Sequence, residues 1–319
     1  MGLAKRLLEA NRRALARAIS LVENDGGEAH QLLREVYPHA GRAHVVGVTG
    51  PPGGGKSTLV NQMARRFRQQ GRTVGIVAVD PTSPFSGGAL LGDRVRMRDL
   101  AGDPGVFVRS MATRGSMGGL AQATGDVVTL LDAAGFDMVL VETVGAGQVE
   151  VDIAREAHTT ILVEVPGLGD EVQTIKAGLM EIADIFAVNK ADHAGADQTV
   201  QALMVMLDSD RSVKAWTPPI VKTIALHGDG VAELVEAIDS HRAYLQEADR
   251  MVDRRRTQAR SGLTRVLHRH LFDQLLERVG MSQFEAAVEK VAMHEIDSYT
   301  AADALIKAAR GFGNGRMSE

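Results

Sequence analysis

Short apolar segments alternate with amphipathic segments through the middle of the chain. The apolar runs are continuous, a pattern typical of strands that are buried on both faces of a parallel sheet. They predict strands at residues 45–48, 74–79, 106–108, 138–141, 161–165, 185–188 and 220–224. The clearest helix covers residues 56–70, ends at Gly71 and buries one apolar stripe: Leu59, Val60, Met63 and Phe67. The pattern therefore predicts an α/β fold in which a mainly parallel sheet is flanked by helices.

The two ends of the chain carry a helical pattern instead. In residues 1–43 apolar side chains recur at helical spacing, as expected for helices that dock on a domain, and Gly26 and Gly27 interrupt them. After residue 245 no strand pattern remains, and a stripe of leucines and valines extends to Val279, just before Gly280. We therefore divide the chain into an N-terminal helical segment (1–43), a central α/β domain (44–245) and a C-terminal helical arm (246–319).

The C-terminal arm is too small to bury a core of its own, since it has only about 70 residues. We expect its apolar stripe to pair with the arm of a second copy of the chain, which makes the protein a homodimer. Packing of the arm on its own domain is the alternative.

Composition narrows the range of functions. The chain has 319 residues, with 36 Lys and Arg against 40 Asp and Glu, a net charge of −4, and 4% aromatic residues, so nucleic-acid binding is not expected. The absence of cysteine excludes disulfides, thiol catalysis and iron–sulfur clusters. No apolar run approaches the ~18 residues of a membrane span, so we expect a cytoplasmic protein without membrane contact. The Arg-rich first 20 residues leave the mitochondrial matrix as the alternative.

The strongest functional motif follows the first predicted strand and leads into the clearest helix. It fits the pattern G-x-x-x-x-G-K-[ST] with Gly50, Pro51, Pro52, Gly53, Gly54, Gly55, Lys56 and Ser57. Glycines let the backbone N–H groups surround phosphates, and the helix that starts at Lys56 adds its positive N-terminal end. We expect Lys56 to reach the β- and γ-phosphates and the Ser57 hydroxyl to bind Mg²⁺. The motif predicts a site for a nucleoside triphosphate; an ordinary Gly/Pro turn is the alternative.

A second motif indicates which base is bound. Asn189, Lys190, Ala191 and Asp192 directly follow the strand predicted at 185–188. The Asp192 carboxylate can accept hydrogen bonds from N1–H and the amine of guanine, whereas adenine lacks this pair of donors and would leave the carboxylate unpaired. The motif therefore predicts guanine; a polar turn is the alternative.

The segment 223–226 supports the guanine prediction. It lies where GTPases usually carry a Ser-Ala loop, with Ile224 in place of the serine. The contact expected from this loop is made by backbone, with Ala225 as the donor and Leu226 beside it.

Three carboxylates lie at or after the ends of predicted strands. Asp80 and Glu142 end strands, and Asp93 lies in the Gly-rich segment that follows Asp80. Ligands of open α/β sheets bind at the carboxyl ends of the strands. We expect these acids to position Mg²⁺ and the attacking water while Lys56 offsets charge on the β–γ bridge. The alternatives are that Asp80 caps the following Pro-Thr turn and that Asp93 is a solvated loop charge.

Together these elements resemble the methylmalonyl-CoA mutase-associated GTPases of the MeaB/ArgK type. The resemblance covers most of the chain and is carried by six segments in the same order: 47–57, 80–84, 91–94, 113–120, 142–148 and 189–192. It implies a P-loop fold of the class shared with signal-recognition and metal-insertion GTPases, with dimerisation through the C-terminal arm. It also implies that the protein assists an adenosylcobalamin-dependent acyl-CoA mutase, such as methylmalonyl-CoA mutase, in cofactor loading, protection and reactivation.

The resemblance also implies roles for individual residues. It assigns residues 50–58, which include Thr58, to the phosphate loop and 166–176 to a switch that responds to GTP or GDP. The residues that read guanine are Asn189, Lys190 and Asp192, and those that hold Mg²⁺ and water are Ser57, Asp80, Asp93 and Glu142. Three other functions stay open. One is a nickel or zinc insertion GTPase, whose usual Cys- or His-rich elements this chain lacks. The others are a small-molecule kinase that uses the same P-loop and a binding module that holds GTP without turnover.

Overall fold

The computed structural model describes residues 2–24, 26–80, 100, 102–112, 117–143, 156–167, 182–209 and 215–311. The chain divides into two compact units, Met1–Gln258 and Ala259–Glu319. Among the described helices, none has both the length and the apolar character needed to cross a membrane.

The described part of the first unit is built on a parallel sheet. Its strands are β1 (His44–Thr49), β2 (Val74–Asp80), β3 (Val106–Ala112), β4 (Met138–Glu142), β5 (Thr159–Glu164), β6 (Ile185–Asn189) and β7 (Ile220–Thr223). They lie in the order β3-β2-β4-β1-β5-β6-β7, and each neighbouring pair is parallel. The seven predicted strands and the parallel sheet are therefore confirmed.

One predicted strand is longer than its sequence indicated. Strand β3 continues to Ala112 although its apolar run ends at Val108. The polar Arg109 is accommodated because its guanidinium pairs with Glu23 of an N-terminal helix, while the strand keeps its register with β2. The ion pair joins residues 86 positions apart in the chain, so local periodicity does not show it.

The described helices lie before, between and after the strands. Those of the N-terminal segment are α1 (Leu3–Leu8), α2 (Arg12–Glu23) and α3 (Gly27–Val36). Those between or after the strands are α4 (Lys56–Gln69), α5 (Met117–Ala133), α6 (Ala196–Ser209) and α7 (Val231–Gln246). The chain continues into α8 (Arg250–Val279), α9 (Met281–Ala292) and α10 (Ser298–Gly311).

Helix α4 covers one face of the sheet and forms as predicted. Leu59, Val60, Met63 and Phe67 are fully buried in a core that includes alternate residues of β1 and β4. The helix ends where Gly71 takes a left-handed conformation. Helix α7 packs against the same core.

The N-terminal helices and α5 cover the opposite face. Leu15 and Ile19 of α2 join a core with Leu130 of α5 and Val139 of β4, so the N-terminal segment docks on the domain as expected. The Arg12 guanidinium strengthens the docking by donating to the carbonyl of Val106 over 2.6 Å. The sheet is therefore buried on both faces, which accounts for its continuous apolar strands.

The central position of β1 determines where a ligand can bind. Strand β1 pairs with β4 on one side and with β5 on the other. The chain runs from β1 to β2 and β3 on one side and, after β4, crosses to β5 on the other side of β1. A crevice forms at the carboxyl ends of the strands where the strand order changes direction in this way. The glycine-rich loop starts at this end of β1.

A buried polar cluster lies at the other end of the same strands. Thr159 Oγ1 is 2.8 Å from His44 Nε2 and 2.9 Å from His241 Nδ1, and all three side chains are buried. Asp184, at the start of β6, pairs with His241 and with Arg254 of α8. The start of α8, which belongs to the first unit, is thus held to the start of β6 by the ion pair of Arg254 with Asp184.

The second unit is helical, as predicted for the C-terminal arm. Helix α8 is continuous across residues 258 and 259, so the division between the units falls inside a helix. Gly280 separates α8 from α9 with a φ of 84°. The α8 stripe exposes Leu263, Leu267 and Leu271 by half or more. The predicted boundary at residue 246 and the pairing of two arms stay predictions.

Candidate nucleotide-binding site

The glycine-rich loop lies close to the ends of two neighbouring strands. A Cβ atom added to Gly50 would lie 2.2 Å from the Val163 carbonyl oxygen of β5, and one added to Gly55 would lie 2.4 Å from Asn189 Nδ2. Both glycines have positive φ, 141° and 85°. Glycine is therefore required at Gly50 by the neighbouring backbone as well as by its own conformation, and at Gly55 chiefly by conformation, since the Asn189 amide would have to shift for a Cβ.

Lys56, the first residue of α4, folds over this loop. Its Nζ donates to the carbonyl oxygens of Gly50 at 2.8 Å and Pro51 at 2.9 Å. The side chain is buried, so its ammonium group lies inside the loop and away from solvent. This is where the motif predicts the ammonium group that binds phosphate; the phosphate contact itself stays a prediction.

Ser57 and Glu142 meet at the start of the same helix. Ser57 Oγ donates a hydrogen bond of 2.6 Å to Glu142 Oε1, and both residues are less than a tenth exposed. They lie 85 positions apart in the chain. The pair therefore places a hydroxyl and a carboxylate side by side at the carboxyl end of β4, beside the phosphate loop.

This pair of oxygen ligands fits Mg²⁺. The ion prefers hard oxygen ligands, and in nucleotide sites it is held by one or two protein oxygens with phosphate and water completing the shell. Asp80 ends β2, and Ala78 is in register with Glu142, so Asp80 lies two positions further toward the carboxyl edge. Asp93 and most of the predicted switch, beyond residue 167, lie outside the described residues.

Asn189 connects the loops of the site. Its Nδ2 donates to the Gly54 carbonyl at 2.8 Å, while its Oδ1 accepts from Thr223 Oγ1 at 3.2 Å and from the Ala225 N–H at 3.0 Å. The buried amide thus joins the phosphate loop to the segment predicted to contact guanine. The sequence pattern predicts Asn189 as a base-reading residue and does not reveal this connecting role. The Ala225 N–H, expected to face guanine, donates to Asn189.

The remaining predicted base-reading residues lie at the surface of the same region. Lys190 has a φ of 56°, and the Ala191 N–H after it donates to the Thr223 carbonyl at 3.1 Å. The Asp192 carboxylate is 51% exposed. Leu226 is 77% exposed on a short loop that the Ile224–Asp229 bridge closes. An exposed carboxylate and an exposed apolar side chain thus lie on the two loops that follow Asn189 and Ala225, and their contact with a purine base stays a prediction.

Comparison with known proteins decides the family. The sequence model described as "Methylmalonyl Co-A mutase-associated GTPase MeaB" matches residues 15–283, most of the chain. The chain belongs to the MeaB family. The resemblance stated from the motifs is therefore confirmed, and so is the enzymatic class, a GTPase with a P-loop fold.

Individual relatives of this MeaB-family chain match it over most of their length. A protein of Pyrococcus abyssi is 49% identical over 314 residues, which cover 98% of this chain and 97% of that protein. The GTPase ArgK of Escherichia coli is 37% identical over 265 residues, 80% of each chain. The solved structure of a protein named LAO/AO transport system kinase has 27% identity and a TM-score of 0.73, covering 96% of this chain and 95% of that one.

Two residues that adjoin the candidate site of this MeaB-family chain were missed by the sequence reasoning. Thr49 and Thr143 are buried, and their hydroxyl groups are 3.1 Å apart at the ends of β1 and β4. Each directly adjoins a residue that the motifs did select, Gly50 and Glu142. The available signal is a threonine at the end of an apolar strand, where a hydroxyl needs a buried partner.

Proposed function

We propose that this GTPase works with Mg²⁺ and assists an adenosylcobalamin-dependent acyl-CoA mutase, specifically methylmalonyl-CoA mutase, in loading, protecting and reactivating its cofactor. The hydrogen bond between Ser57 and Glu142 beside the phosphate loop carries the Mg²⁺ part of the proposal. The description of the matching family supports the partner. No site for cobalamin in this chain is part of the proposal.

The phosphate loop binds the triphosphate through backbone and charge. Helix α4 points its N-terminal end into the loop, so its first N–H groups attract phosphate oxygens. Lys56 adds a positive charge that is already inside the loop. Because this charge is buried, it is screened by water less than a surface lysine, and it offsets charge that builds on the β–γ bridge oxygen during hydrolysis.

The acidic residues at the carboxyl edge orient the metal and the attacking water. Ser57 supplies the hydroxyl ligand, and Glu142 holds that hydroxyl while its carboxylate faces the water shell. Asp80 and Asp93 complete the acidic group in the proposal. When bound, Mg²⁺ neutralises phosphate charge and aligns the β- and γ-oxygens.

Guanine is selected by the Asp192 carboxylate. Asn189 bonds both the phosphate loop, at Gly54, and the loop predicted to contact guanine, at Ala225. It thereby sets the distance between the two loops, and a bound nucleotide has to match that distance. Lys190 and Leu226 flank the base, and Asp192 accepts from the two guanine donors. Replacing the carboxylate by an amide removes one of these acceptors, so guanine preference falls.

Dimerisation uses the C-terminal arm. The exposed leucines of α8, Leu263, Leu267 and Leu271, form an apolar face in the second unit. Sedimentation velocity at micromolar concentration is expected to show a dimer, and Leu267→Lys is expected to shift it toward monomer. A wild-type chain that sediments only as monomer would remove this part of the proposal. We place the working protein in the cytoplasm, where such a mutase is available to it.

The decisive experiment measures nucleotide turnover by the purified full chain. GTP or ATP is supplied with Mg²⁺, with and without methylmalonyl-CoA mutase, and phosphate release is followed. We expect turnover that is selective for GTP and rises with the mutase. Lys56→Ala is expected to abolish it, while Lys222→Ala, a lysine whose ammonium pairs with Asp197 on an exposed surface, leaves it unchanged. GTP turnover that is indifferent to the mutase would contradict the proposed partner.

A phosphoryl-transferring kinase is the second candidate. The name of the solved structure with 27% identity, LAO/AO transport system kinase, supports it. The two functions differ in where the γ-phosphate goes. A kinase transfers it to an acceptor in stoichiometric amounts, whereas a GTPase releases it to water. Radiolabelled GTP that yields only inorganic phosphate would exclude the kinase for the acceptors tested.

A further inference from the structure

Two buried threonines join the strands that carry the phosphate loop and Glu142. Thr143 Oγ1 donates to Thr49 Oγ1 at 3.1 Å, and the Thr143 N–H donates to the Val48 carbonyl at 3.0 Å. Both side chains are 2% exposed. The contacts continue the pairing of β1 with β4 by one residue beyond the register position of Val48 and Glu142.

The threonine pair lies on the opposite face of the sheet from Ser57. In β1 and β4, Val48 and Leu140 belong to the core under α4, whereas Val45 and Val141 belong to the core under α5 and the N-terminal helices. Side chains alternate between the faces along a strand. Glu142 therefore faces α4 and Ser57, while Thr49 and Thr143 face away from the proposed nucleotide site.

This arrangement makes Thr143 a positioning residue. Glu142 is the last residue of β4, and its carboxylate meets Ser57 only if this end of β4 keeps its position along β1. Beyond Glu142 the chain leaves the strand, so the next contact with β1 determines where this end of β4 lies along β1. Two hydrogen bonds supply this contact: the Thr143 N–H donates to the Val48 carbonyl, and the hydroxyl bond joins Thr143, the residue after Glu142, to Thr49, the residue before Gly50.

We propose that the Thr143–Thr49 hydroxyl pair sets the position of Glu142 against Ser57 and thereby sets the affinity of the site for Mg²⁺. The inference rests on the proposed function, because it concerns the metal that we place at Ser57 and Glu142. Groups that orient metal ligands without touching the metal change metal affinity by about tenfold or more when they are lost. Thr143→Val keeps the shape of the side chain and removes its hydroxyl.

The experiment measures GDP binding as a function of Mg²⁺ concentration, using fluorescently labelled GDP and the full chain. Thr143→Val is expected to raise the Mg²⁺ concentration for half-maximal tightening by about tenfold. Thr143→Ser retains the hydroxyl and is expected to remain near wild type. Thr49→Val removes the other member of the pair and is expected to act like Thr143→Val, so it serves if the first variant does not fold.

Thr159→Val is the matched control. Thr159 is also fully buried and bonds through its hydroxyl, but it lies at the opposite end of the sheet. It is expected to lower stability in urea and to leave the Mg²⁺ dependence unchanged. Variants Thr143→Val and Thr49→Val with wild-type Mg²⁺ dependence would overturn the inference and leave the proposed function standing. A wild-type protein whose GDP binding ignores Mg²⁺ would instead overturn the Mg²⁺ part of the proposed function.

Discussion

The buried histidines at the amino ends of the strands predict a loss of stability in acid. Burial, with the neighbouring His158 as the next cause, lowers the pKa of His44 to about 2. Burial and then the positive charge of Arg255 lower the pKa of His158 to about 4. An unfolded chain titrates its histidines near the ordinary value of about 6.5. Between these pKa values the unfolded chain binds more protons than the folded one, so lowering the pH favours unfolding.

The magnitude follows from the separation of the two pKa values. For His158, a folded-state pKa of about 4 against about 6.5 in the unfolded chain lowers the free energy of unfolding by about 2 kcal/mol near pH 5. The contribution of this group is complete above about pH 6.5 and is lost progressively as the pH falls toward about 4. Asp184 acts in the opposite sense, because burial raises its pKa and protonation then favours the folded state.

His158→Asn isolates this contribution. His158 Nδ1 accepts a hydrogen bond of 3.0 Å from the Val45 N–H, and an asparagine Oδ1 offers an acceptor in a similar position without titrating. As the pH falls from about 8 to about 5, the free energy of unfolding of the variant is expected to drop by about 2 kcal/mol less than that of the wild type. His39→Asn, at an exposed histidine, is the control and is expected to keep the wild-type pH dependence.

Trp216 provides the assay. It is the single tryptophan of the chain, its ring centroid lies 4.7 Å from that of His241, and its Nε1 donates to the Asp184 carbonyl. Urea unfolding followed by its fluorescence therefore reports on the buried polar cluster that contains His241 and Asp184. Circular dichroism checks that both probes detect the same transition. Parallel pH profiles for His158→Asn and wild type would refute the reasoning.

Three further predictions concern the site and the core. Gly50→Ala forces a Cβ against the Val163 carbonyl at a φ of 141°, so we expect a strain of roughly 1–3 kcal/mol and weaker GDP binding, measured by calorimetry; unchanged affinity would contradict the close approach. Asn189→Ala leaves buried backbone groups of two loops without their partner, so the free energy of unfolding in urea should fall by about 1–3 kcal/mol and GDP binding should weaken. A loss of stability with unchanged GDP affinity would show that these loops do not form the nucleotide site. Met63→Ala opens a cavity under α4 and should cost about 2–5 kcal/mol while GDP affinity stays at the wild-type value under folding conditions.

Local patterns accounted for the elements of the fold. Continuous apolar runs identified the seven strands, because a strand buried on both faces needs no polar alternation. The boundaries of α4 followed from its apolar stripe and from Gly71, both of which act within a few residues. The phosphate loop was also predicted from the sequence, because its glycines favour the backbone conformation that the loop needs. Asp93 and most of the predicted switch lie outside the described residues, so their roles stay predictions.

The contacts of the site depended on the tertiary structure. The pairing of Ser57 with Glu142, the three hydrogen bonds of Asn189 and the threonine pair behind Glu142 each join segments that are far apart in the chain. Which strand lies beside β1, and in which register, is decided by packing over the whole sheet and not by any local motif. The sequence by itself thus determined the strands, the loop and the kind of nucleotide to expect. Only the folded sheet decided which side chains meet, because strand order and register bring them within hydrogen-bond distance.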